Sequence, residues 1–553
     1  MLKKPKYIYG PNDKIVSAKI NVGECVLREI WKNKETVALT RHRFPMRRPP
    51  LTPQINAATH EQVRYGQIAQ EAMNLAVSLV QAGVRKGDVV AVCSEKRKEF
   101  WSTVIGVACT GAAVTTVSTD YCEDELKHIM GIAKPKYVFC SPLSYKAYSK
   151  TLRLLDYVKQ IIVYGEEKPP QTLLYSELAV ACSRAGGAGR REDVSADSFL
   201  PVDVAGDDTL FVLYSSGTTG LPKGIMLSQL SVLTALSPNP NVPKELKPLT
   251  ITPWFHIMGL TSTLINFIRG VTMVYLPKFD VDLYLKSIER YQIKELKAVP
   301  SVIVALCKSQ FQYDVSSVEL VYSGAAPLHR ETIETVMKKF PNVHLLVQGY
   351  GLTETTLGFT KCFNPDKFGS VGTVISNNIV KVVNPETREV LGPYERGEIC
   401  VKGVMIMKGY IGKDRSEDFD DEGFFRTGDI GYYDEDKYFY IVDRLKELIK
   451  FKGFQVAPSE IEAVLLKHEG IRDAGVIGIP QSGTDRVPMA FVVPQPGVTL
   501  TEKEIQDFVA TKLPNHKHLR GGVMFTDHMP KTPSGKIMKR ELRKLAEDRD
   551  SSA

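Results

Sequence analysis

The order of apolar and polar residues predicts alternating helices and strands early in the chain. Apolar side chains recur at helical spacing over 65–82, and the pattern ends at Gly83. The apolar run 89–92 predicts a short buried strand, and a helical pattern over 99–109 leads to a strand-like run over 113–117. Strands that alternate with helices in this way favour a parallel sheet covered on both faces.

Three further regions follow, each with its own pattern. A similar alternation over about 209–375 predicts a second α/β subdomain, and 380–440 is a more β-rich stretch interrupted by turn residues. After Asp443 a compact pattern begins, which predicts a small α+β domain. Its helical runs are 459–467 and 502–512, and its strand-like runs are 474–479 and 490–493.

Length and charge narrow the class of protein. At 553 residues the chain is too long for one hydrophobic core, and its 43% hydrophobic and 24% charged residues are typical of globular proteins. The formal charge of +8 is small for this length and spread along the chain. It favours an ordinary basic surface over nucleic-acid binding.

Cysteine usage and the chain ends bear on location. Nine scattered cysteines without a CxxC pair favour reduced thiols. The first residues lack the apolar core of a secretory signal, and no run approaches the roughly 20 apolar residues of a membrane span. The chain ends in Ser551-Ser552-Ala553 rather than the Ser-Lys-Leu peroxisomal signal. We therefore expect a cytoplasmic protein without a transmembrane segment.

The segment 213–227 carries the strongest chemical signal. An apolar strand runs into a loop rich in hydroxyl groups and glycines, which allow backbone N–H groups to approach an anion, and a lysine adds positive charge. The lysine follows a proline and precedes no Ser or Thr, so the loop is not a Walker A motif. A Gly/Ser-rich connector is the alternative. The candidate phosphate-binding residues are Ser215, Ser216, Gly217, Thr218, Thr219, Gly220 and Lys223.

This loop, SSGTTGLPKG, resembles the signature of the adenylate-forming superfamily, which includes acyl-CoA synthetases, 4-coumarate–CoA ligases and beetle luciferases. Four more segments match in the family's order, and the resemblance covers nearly the whole chain. They are Tyr322-Ser-Gly-Ala-Ala-Pro-Leu, Gln348-Gly-Tyr-Gly-Leu-Thr-Glu-Thr, Phe425-Arg-Thr-Gly-Asp-Ile with Val442-Asp-Arg-Leu-Lys, and Pro533-Ser-Gly-Lys. The resemblance implies an acid–CoA ligase that uses ATP, Mg²⁺ and CoA. MgATP and CoA are polyanions, which suit a mildly basic protein.

The resemblance also implies how the nucleotide is held. Gly324, Ala325 and Ala326 would line the adenine pocket, although the same small residues could form a packing turn. In the segment Gln348, Gly349, Tyr350, Gly351, the tyrosine would stack on adenine. Thr353 would bind phosphate, and Glu354 would hold Mg²⁺, which prefers hard oxygen ligands. Asp429 would bind the ribose hydroxyls because one carboxylate offers two acceptor oxygens, and Arg444 would bind ribose or phosphate.

The family's two half-reactions assign roles to residues near the C-terminus. Residues 443–446 are interpreted as a hinge with Lys446 as its pivot, which divides the chain into an N-terminal domain (1–442) and a mobile C-terminal domain (447–553). Lys536 would neutralise charge during adenylation. Lys450, Gly453 and Gln455 would reach the site only after the small domain rotates. Each of these lysines alone would more simply be a solvated surface charge.

His256 resembles the histidine that gates the family's acid tunnel, although a satisfied core histidine is the simpler interpretation of that residue alone. The apolar segment 253–264 then predicts a dry tunnel and a hydrophobic fatty or aryl acid. Beetle luciferases typically have a second histidine where this chain has Ile257, and Gln229 replaces a common family histidine. A luciferase-type monooxygenase and a non-catalytic nucleotide-binding protein remain the alternatives.

Overall fold

The structure is a computed structural model, and it describes most of the chain. The described residues are 7–11, 21–34, 54–179, 193–215, 222–237, 246–324, 328, 330–452, 454–481, 486–532 and 536–552.

The strands are numbered in chain order. The first ten are β1 (Ile8–Tyr9), β2 (Gln54–Asn56), β3 (Gln62–Val63), β4 (Val89–Cys93), β5 (Ala113–Val117), β6 (Tyr137–Cys140), β7 (Gln160–Val163), β8 (Thr172–Leu174), β9 (Thr209–Tyr214) and β10 (Gly224–Ser228). The next nine are β11 (Pro248–Thr250), β12 (Met273–Tyr275), β13 (Glu295–Ala298), β14 (Leu320–Ser323), β15 (Leu345–Gly351), β16 (Gly358–Cys362), β17 (Thr373–Val374), β18 (Asn378–Val383) and β19 (Gly397–Gly403). The rest are β20 (Gly409–Tyr410), β21 (Phe425–Tyr433), β22 (Phe439–Arg444), β23 (Ile449–Phe451), β24 (Phe454–Val456), β25 (Ile471–Pro480), β26 (Arg486–Pro494) and β27 (Val523–Phe525).

The α-helices are numbered in the same way. The first seven are α1 (Val22–Lys32), α2 (Tyr65–Gln81), α3 (Glu99–Cys109), α4 (Glu123–Ala133), α5 (Pro142–Arg153), α6 (Tyr175–Ala179) and α7 (Gln229–Ala235). The others are α8 (Ile257–Arg269), α9 (Val281–Tyr291), α10 (Pro300–Lys308), α11 (Arg330–Lys339), α12 (Pro458–Leu465), α13 (Glu502–Lys512) and α14 (Lys539–Ser552).

The first sheet has the order β20-β10-β9-β5-β4-β6-β7-β8. Its strands β4 to β9 are mutually parallel, and β10 and β20 add antiparallel to one side. Helices α1, α2 and α3 pack on one face, and α4 and α5 pack on the other, which confirms the predicted sheet covered on both faces. All five residues of β5 are buried, as expected of a strand in the middle of a parallel sheet covered on both faces.

The predicted boundary of the second α/β subdomain is wrong. Residues 209–228 do not open the second sheet, because β9 pairs with β5 and extends the first sheet instead. The second sheet has the order β17-β16-β15-β14-β13-β11-β12-β2-β3, so it also recruits residues 54–63 from the start of the chain. A buried strand must hydrogen-bond its backbone N–H and C=O groups to a neighbouring strand. The pattern of apolar residues identifies the strand but does not specify which sheet provides that neighbour.

The β-rich region and the small domain form as expected. β1, β18, β19, β21 and β22 make a five-stranded antiparallel sheet. In the C-terminal part, β25, β26 and β27 form a sheet packed by α12 and α13, and β23 and β24 form a separate hairpin. The predicted architecture of two α/β subdomains, a β-rich one and a C-terminal α+β domain is therefore confirmed.

Two simpler expectations can also be compared with the structure. In the part of the chain that the structure describes, no helix has the length and apolar character needed to cross a membrane. The eight described cysteines are all free thiols, and five of them are buried.

Candidate active site

A cleft of about 2710 Å³ opens between the second sheet, the β-rich sheet and the C-terminal domain. Most of the residues singled out from the sequence line it, although they come from distant parts of the chain. Those in the cleft are Ser215, Lys223, His256, Gly324, Gly349, Tyr350, Gly351, Thr353, Glu354, Asp429, Arg444, Lys446 and Lys536. The fold therefore brings the separate motifs to one place.

The phosphate-loop candidate is closed at its neck by two reciprocal hydrogen bonds. The Ser215 backbone N–H donates to the Lys223 carbonyl at 3.1 Å, and the Lys223 N–H donates to Ser215 Oγ at 3.2 Å. The Lys223 ammonium lies 4.6 Å from the centre of the Tyr410 ring, a cation–π contact that holds it at the cleft. The candidates Ser216, Gly217, Thr218, Thr219 and Gly220 lie outside the described residues, as do Ala325 and Ala326.

The segment 348–354 runs along the floor of the cleft on β15 and a short 3₁₀ turn. A Cβ atom on Gly351 would lie 2.1 Å from the Leu357 carbonyl oxygen, so only glycine allows this close approach of two chain segments. Gln348 is buried, and its Oε1 accepts a hydrogen bond from the Leu328 N–H at 3.3 Å. Thr353 opens the 3₁₀ turn at the cleft.

Glu354 is the carboxylate predicted to hold Mg²⁺. Its Oε1 accepts a hydrogen bond from the Tyr410 hydroxyl at 2.8 Å, while the residue borders the cleft. Among the described residues, no group of three or more His, Cys, Asp or Glu could hold a metal without further ligands. A single carboxylate is nevertheless suitable for Mg²⁺, which keeps waters and takes its other ligands from substrate phosphates. Glu354 therefore fits the ion.

Asp429 lies at the centre of a buried polar network. It is 4% exposed, its Oδ2 accepts from the Tyr350 hydroxyl at 2.6 Å, and its Oδ1 pairs with Arg444 Nε at 2.9 Å. Burial raises the pKa of Asp429, while Arg444, Tyr350 and Lys536 oppose that rise. The pKa of Arg444 is raised, chiefly by the charge of Asp429. Each carboxylate oxygen keeps one acceptor site for a ligand hydroxyl.

Lys536 enters this network from the C-terminal domain. An antiparallel bridge between Lys531 and Ile537 holds its backbone, and the Thr532 N–H donates to the Lys536 carbonyl at 2.8 Å. Burial lowers the pKa of its ammonium group, as does Arg444, while Asp429 and Glu354 raise it. No hydrogen bond or ion pair with a described residue uses its Nζ, so this charge is available to a ligand.

His256 lies at the opposite wall of the cleft, at the N-terminus of α8. A Cβ atom on Gly259 would lie 2.0 Å from the Pro253 carbonyl oxygen, so glycine permits the tight turn that presents His256. Burial lowers the pKa of His256 to about 4, with a further contribution from the positive charge of Lys536. The imidazole is therefore neutral near pH 7, and it lies close enough to Lys536 to sense its charge.

Only one stripe of α8 lines the cleft, which refines the predicted apolar tunnel. Met258, Ser262, Ile265 and Arg269 face the cavity at helical spacing, while Leu260 and Leu264 are buried in the protein core. Trp254 is 1% exposed and packs against other aromatic rings of the core, with ring centres 4.9–5.4 Å away. The near part of the stripe is apolar, as expected, but its far end is charged.

Three predicted residues do not line this cleft: Gln348, Lys450 and Gln455. Lys450 is exposed and pairs with Gln455 across the β23–β24 hairpin, and neither residue lines the cleft that contains Lys536. The hinge candidate is divided: Asp443 and Arg444 complete β22, while Leu445–Glu447 forms a 3₁₀ turn that includes Lys446. Gly453 lies outside the described residues.

Comparison with known proteins agrees with this geometry. A family described as "AMP-binding enzyme" matches residues 42–411, and its C-terminal domain matches 460–536. The chain belongs to the AMP-binding enzyme family.

Its relatives within the family have two kinds of activity. A luciferin 4-monooxygenase of Photuris pensylvanica is 38% identical, over 90% of this chain and 92% of that protein. 4-Coumarate–CoA ligase 3 of Arabidopsis thaliana is 37% identical, over 88% of this chain and 87% of that one. The structure also resembles ATP-bound MatB of Rhodopseudomonas palustris, with a TM-score of 0.80, 27% identity and coverage of 96% and 99% of the two chains. These matches establish an adenylate-forming enzyme.

Two residues acquire roles that the family motifs did not reveal. Gln229 is 1% exposed, and its Oε1 accepts a hydrogen bond from the Val22 N–H at 2.9 Å, so it fixes the start of α1 rather than binding a ligand. Tyr410 lies between Lys223 and Glu354 and contacts both. It follows a glycine in an ordinary strand pattern, so nothing in the sequence distinguishes it from a core tyrosine.

Proposed function

We propose that the protein is an AMP-forming acid–CoA ligase that activates a hydrophobic carboxylic acid, fatty or aryl, and transfers its acyl group to CoA. The observation that carries this proposal is the position of Lys536. Its ammonium group is close enough to Asp429, Arg444 and Glu354 for their charges to shift its pKa, and its own charge lowers the pKa of His256. A positive charge between a nucleotide-binding wall and an acid-binding wall suits the joining of a carboxylate to a phosphate.

In the first half-reaction, a carboxylate oxygen of the acid attacks the α-phosphorus of ATP. The bond to the bridging oxygen of the β-phosphate breaks, and pyrophosphate leaves with that electron pair. The nucleophile is already ionised, so positioning and charge neutralisation matter more than a general base. Lys536 and Lys223 would supply positive charge, and Glu354 would hold Mg²⁺, which shields the phosphates. Neutral His256 would orient the acid rather than take a proton from it.

The remaining contacts with the nucleotide would come from residues on the Asp429 side of the cleft. Asp429 would accept hydrogen bonds from the ribose hydroxyls at its free acceptor sites, with Arg444 holding the carboxylate in place. Tyr350, fixed by its bond to Asp429, would present its ring to adenine beside Gly324 and Gly349. Thr353 would donate to a phosphate. The phosphate loop 215–223 would enclose the β- and γ-phosphates.

In the second half-reaction, the CoA thiolate attacks the acyl carbonyl carbon, the bond to the AMP oxygen breaks, and AMP leaves. Lys450 and Gln455 lie outside the cleft, so they can contribute only if the C-terminal domain turns about 443–446, with Lys446 as the pivot. The ion pair between Arg540 and Glu125, at 3.2 Å, joins the two domains in the conformation described and would have to break. The pair is partly exposed, and ion pairs in contact with solvent contribute only about 1 kcal/mol or less.

A luciferase-type monooxygenase is the second candidate, favoured by the 38% identity to the Photuris luciferase. The experiment is a panel of saturated acids of two to sixteen carbons and aryl acids, measured by acid-dependent ATP–pyrophosphate exchange and by acyl-CoA formation. A parallel sample contains luciferin, ATP, Mg²⁺ and O₂.

The proposal predicts exchange and acyl-CoA formation that both rise from acetate to longer or aryl acids, with little or no light. Each buried CH₂ contributes about 0.8 kcal/mol, so a few methylenes should separate the acids by orders of magnitude. Strong light with luciferin and no acyl-CoA from any acid would contradict the ligase assignment.

A further inference from the structure

The acid side of the cleft ends in a cluster of buried charges. The Glu295 carboxylate is 1% exposed and contacts Arg269 at 2.9 Å and Lys297 at 3.1 Å. Lys297 also donates to Asn266 Oδ1 at 3.1 Å. Arg269, Glu295 and Lys297 all line the cleft, and so does Lys361. Charged groups are rarely buried in this number without a function, because their desolvation is costly.

These residues lie on facing walls of the same cavity. Lys297 is in register with Tyr322 on the neighbouring strand, and Lys361 is in register with Gly349. A Cβ atom on Gly349 would lie in ordinary contact with Lys361 Cγ, at 3.9 Å, so the stem of Lys361 lies beside this glycine. Arg269 approaches from the opposite wall, at the last position of α8. The cluster therefore surrounds one end of the cavity.

The cluster is distant from the position where the acid would react. His256 precedes α8 and Arg269 is its last residue, while the residues between them that line the cavity run from Ile257 to Ile268 and are mostly apolar. From Met258 to Arg269 the helix rises by roughly 16 Å. A ligand that begins beside His256 would therefore pass an apolar stretch before it reaches the charges.

One ammonium group of this cluster has no counter-ion among the described residues. Glu295 pairs with Arg269 and Lys297. Lys361 adds a third positive group, and its Nζ makes no hydrogen bond or ion pair with any described residue. Burial lowers the pKa of Lys361, and Lys297 lowers it further, which is the behaviour of an ammonium group without a counter-ion. An anion bound at this end would supply the missing counter-ion of Lys361.

We propose that the acid substrate carries a second anionic group, most simply a second carboxylate, at the end remote from the reacting one, and that Lys361 and Lys297 bind it. This inference rests on the proposed ligase function and specifies its substrate class: an elongated acid with an apolar middle. Lys361 supplies the contact that the free protein leaves open. Arg269 and Glu295 act as positioning residues, because they hold Lys297 against the cavity wall.

The test compares α,ω-dicarboxylic acids with monocarboxylic acids of equal carbon number, from six to sixteen carbons, by kcat/KM in ATP–pyrophosphate exchange. We expect at least one length at which the dicarboxylate exceeds the monocarboxylate about tenfold or more, since hydrogen bonds to charged groups are among the strong ones. Lys361→Met should abolish this preference and leave, or improve, exchange with the monocarboxylate. Lys338→Met, an exposed lysine on α11, is the matched control and should retain the preference.

The outcomes separate this inference from the function on which it rests. Exchange with monocarboxylates but no dicarboxylate advantage at any length would overturn the second-anion proposal and leave the ligase intact. A dicarboxylate advantage that persists in Lys361→Met would likewise overturn it. Absence of exchange with every acid, in folded protein, would refute the ligase assignment itself.

Discussion

The two ends of the cleft differ in how their buried charged groups are paired. At the nucleotide end, Arg444 and Tyr350 match the Asp429 carboxylate before any ligand binds, although the Lys536 ammonium group stays available to a ligand. At the acid end, Glu295 pairs with Arg269 and Lys297, while Lys361 has no counter-ion among the described residues. The first arrangement suits the nucleotide, and the second suits an anionic ligand that pairs with Lys361. If the second-anion proposal holds, the end of the cleft that contains Lys361 is where this chain selects its acid.

The largest expected effect on the adenylation rate is that of Lys536→Ala. Adenylation should fall about 10²–10³-fold, because one preorganised charge contact is lost at the transition state. Thioester formation from presynthesised acyl-adenylate should remain largely intact, since that step does not use the same contact. Rapid-quench assays of each half-reaction measure the two rates.

The control for this substitution is Lys503→Ala, which removes an 83% exposed lysine from the same domain. It should change neither rate. If Lys536→Ala adenylates as fast as the wild type, Lys536 has no part in the reaction.

Lys450→Ala should give the mirror pattern with a smaller effect. We expect pyrophosphate release from acid and ATP to be normal, and transfer to CoA to slow by about tenfold, or about 1.4 kcal/mol at the transition state. The reason is that Lys450 lies outside the cleft in the conformation described. Failure of Lys450→Ala and Lys536→Ala in the same half-reaction would refute the domain rotation.

A pair of glycine substitutions should separate the two ends. Gly259→Ala places a Cβ atom 2.0 Å from the Pro253 carbonyl oxygen, and Gly351→Ala places one 2.1 Å from that of Leu357. Each should cost about 1–3 kcal/mol of stability through overpacking, measured by denaturant unfolding. Gly259→Ala should raise the KM of the acid, and Gly351→Ala the KM of ATP. Equal effects of both on both substrates would mean that the ends are not independent.

The smallest effect is expected from the ionisation of His256. With its pKa lowered to about 4, the imidazole stays neutral from pH 5 to 8. The adenylation rate should therefore show no ionisation of His256 in that range, and His256→Asn should leave the shape of the pH profile unchanged. Its contribution to stability has a definite sign: it is present above the unfolded pKa of about 6.5 and is lost as pH falls toward 4. A profile that loses an ionisation near pH 6 in His256→Asn would contradict a neutral role.

The two ends also differ in how far the sequence predicts them. Asp429, Glu354 and Lys536 each lie in a short contiguous motif, so the nucleotide end could be assembled from the sequence before the fold was known. Lys361 and Lys297 lie on different strands, and each reads as an isolated charge within a strand pattern. Their proximity depends on strand order, which the sequence pattern does not contain. Strand order also decides that residues 209–228 join the first sheet, whereas the sequence pattern predicts that they begin the second α/β subdomain.

The account's central claim is that the cleft joins the acid to AMP before CoA reacts. The most direct test supplies an acid labelled with oxygen-18 in both carboxylate oxygens, together with unlabelled ATP, Mg²⁺ and CoA, and analyses the products by mass spectrometry. Because the acid's oxygen attacks the α-phosphorus and stays there when the thiolate displaces AMP, we predict one labelled oxygen in AMP and the other in the acyl-CoA. Unlabelled AMP, or label in pyrophosphate or inorganic phosphate, would contradict the acyl-adenylate and with it the assignment.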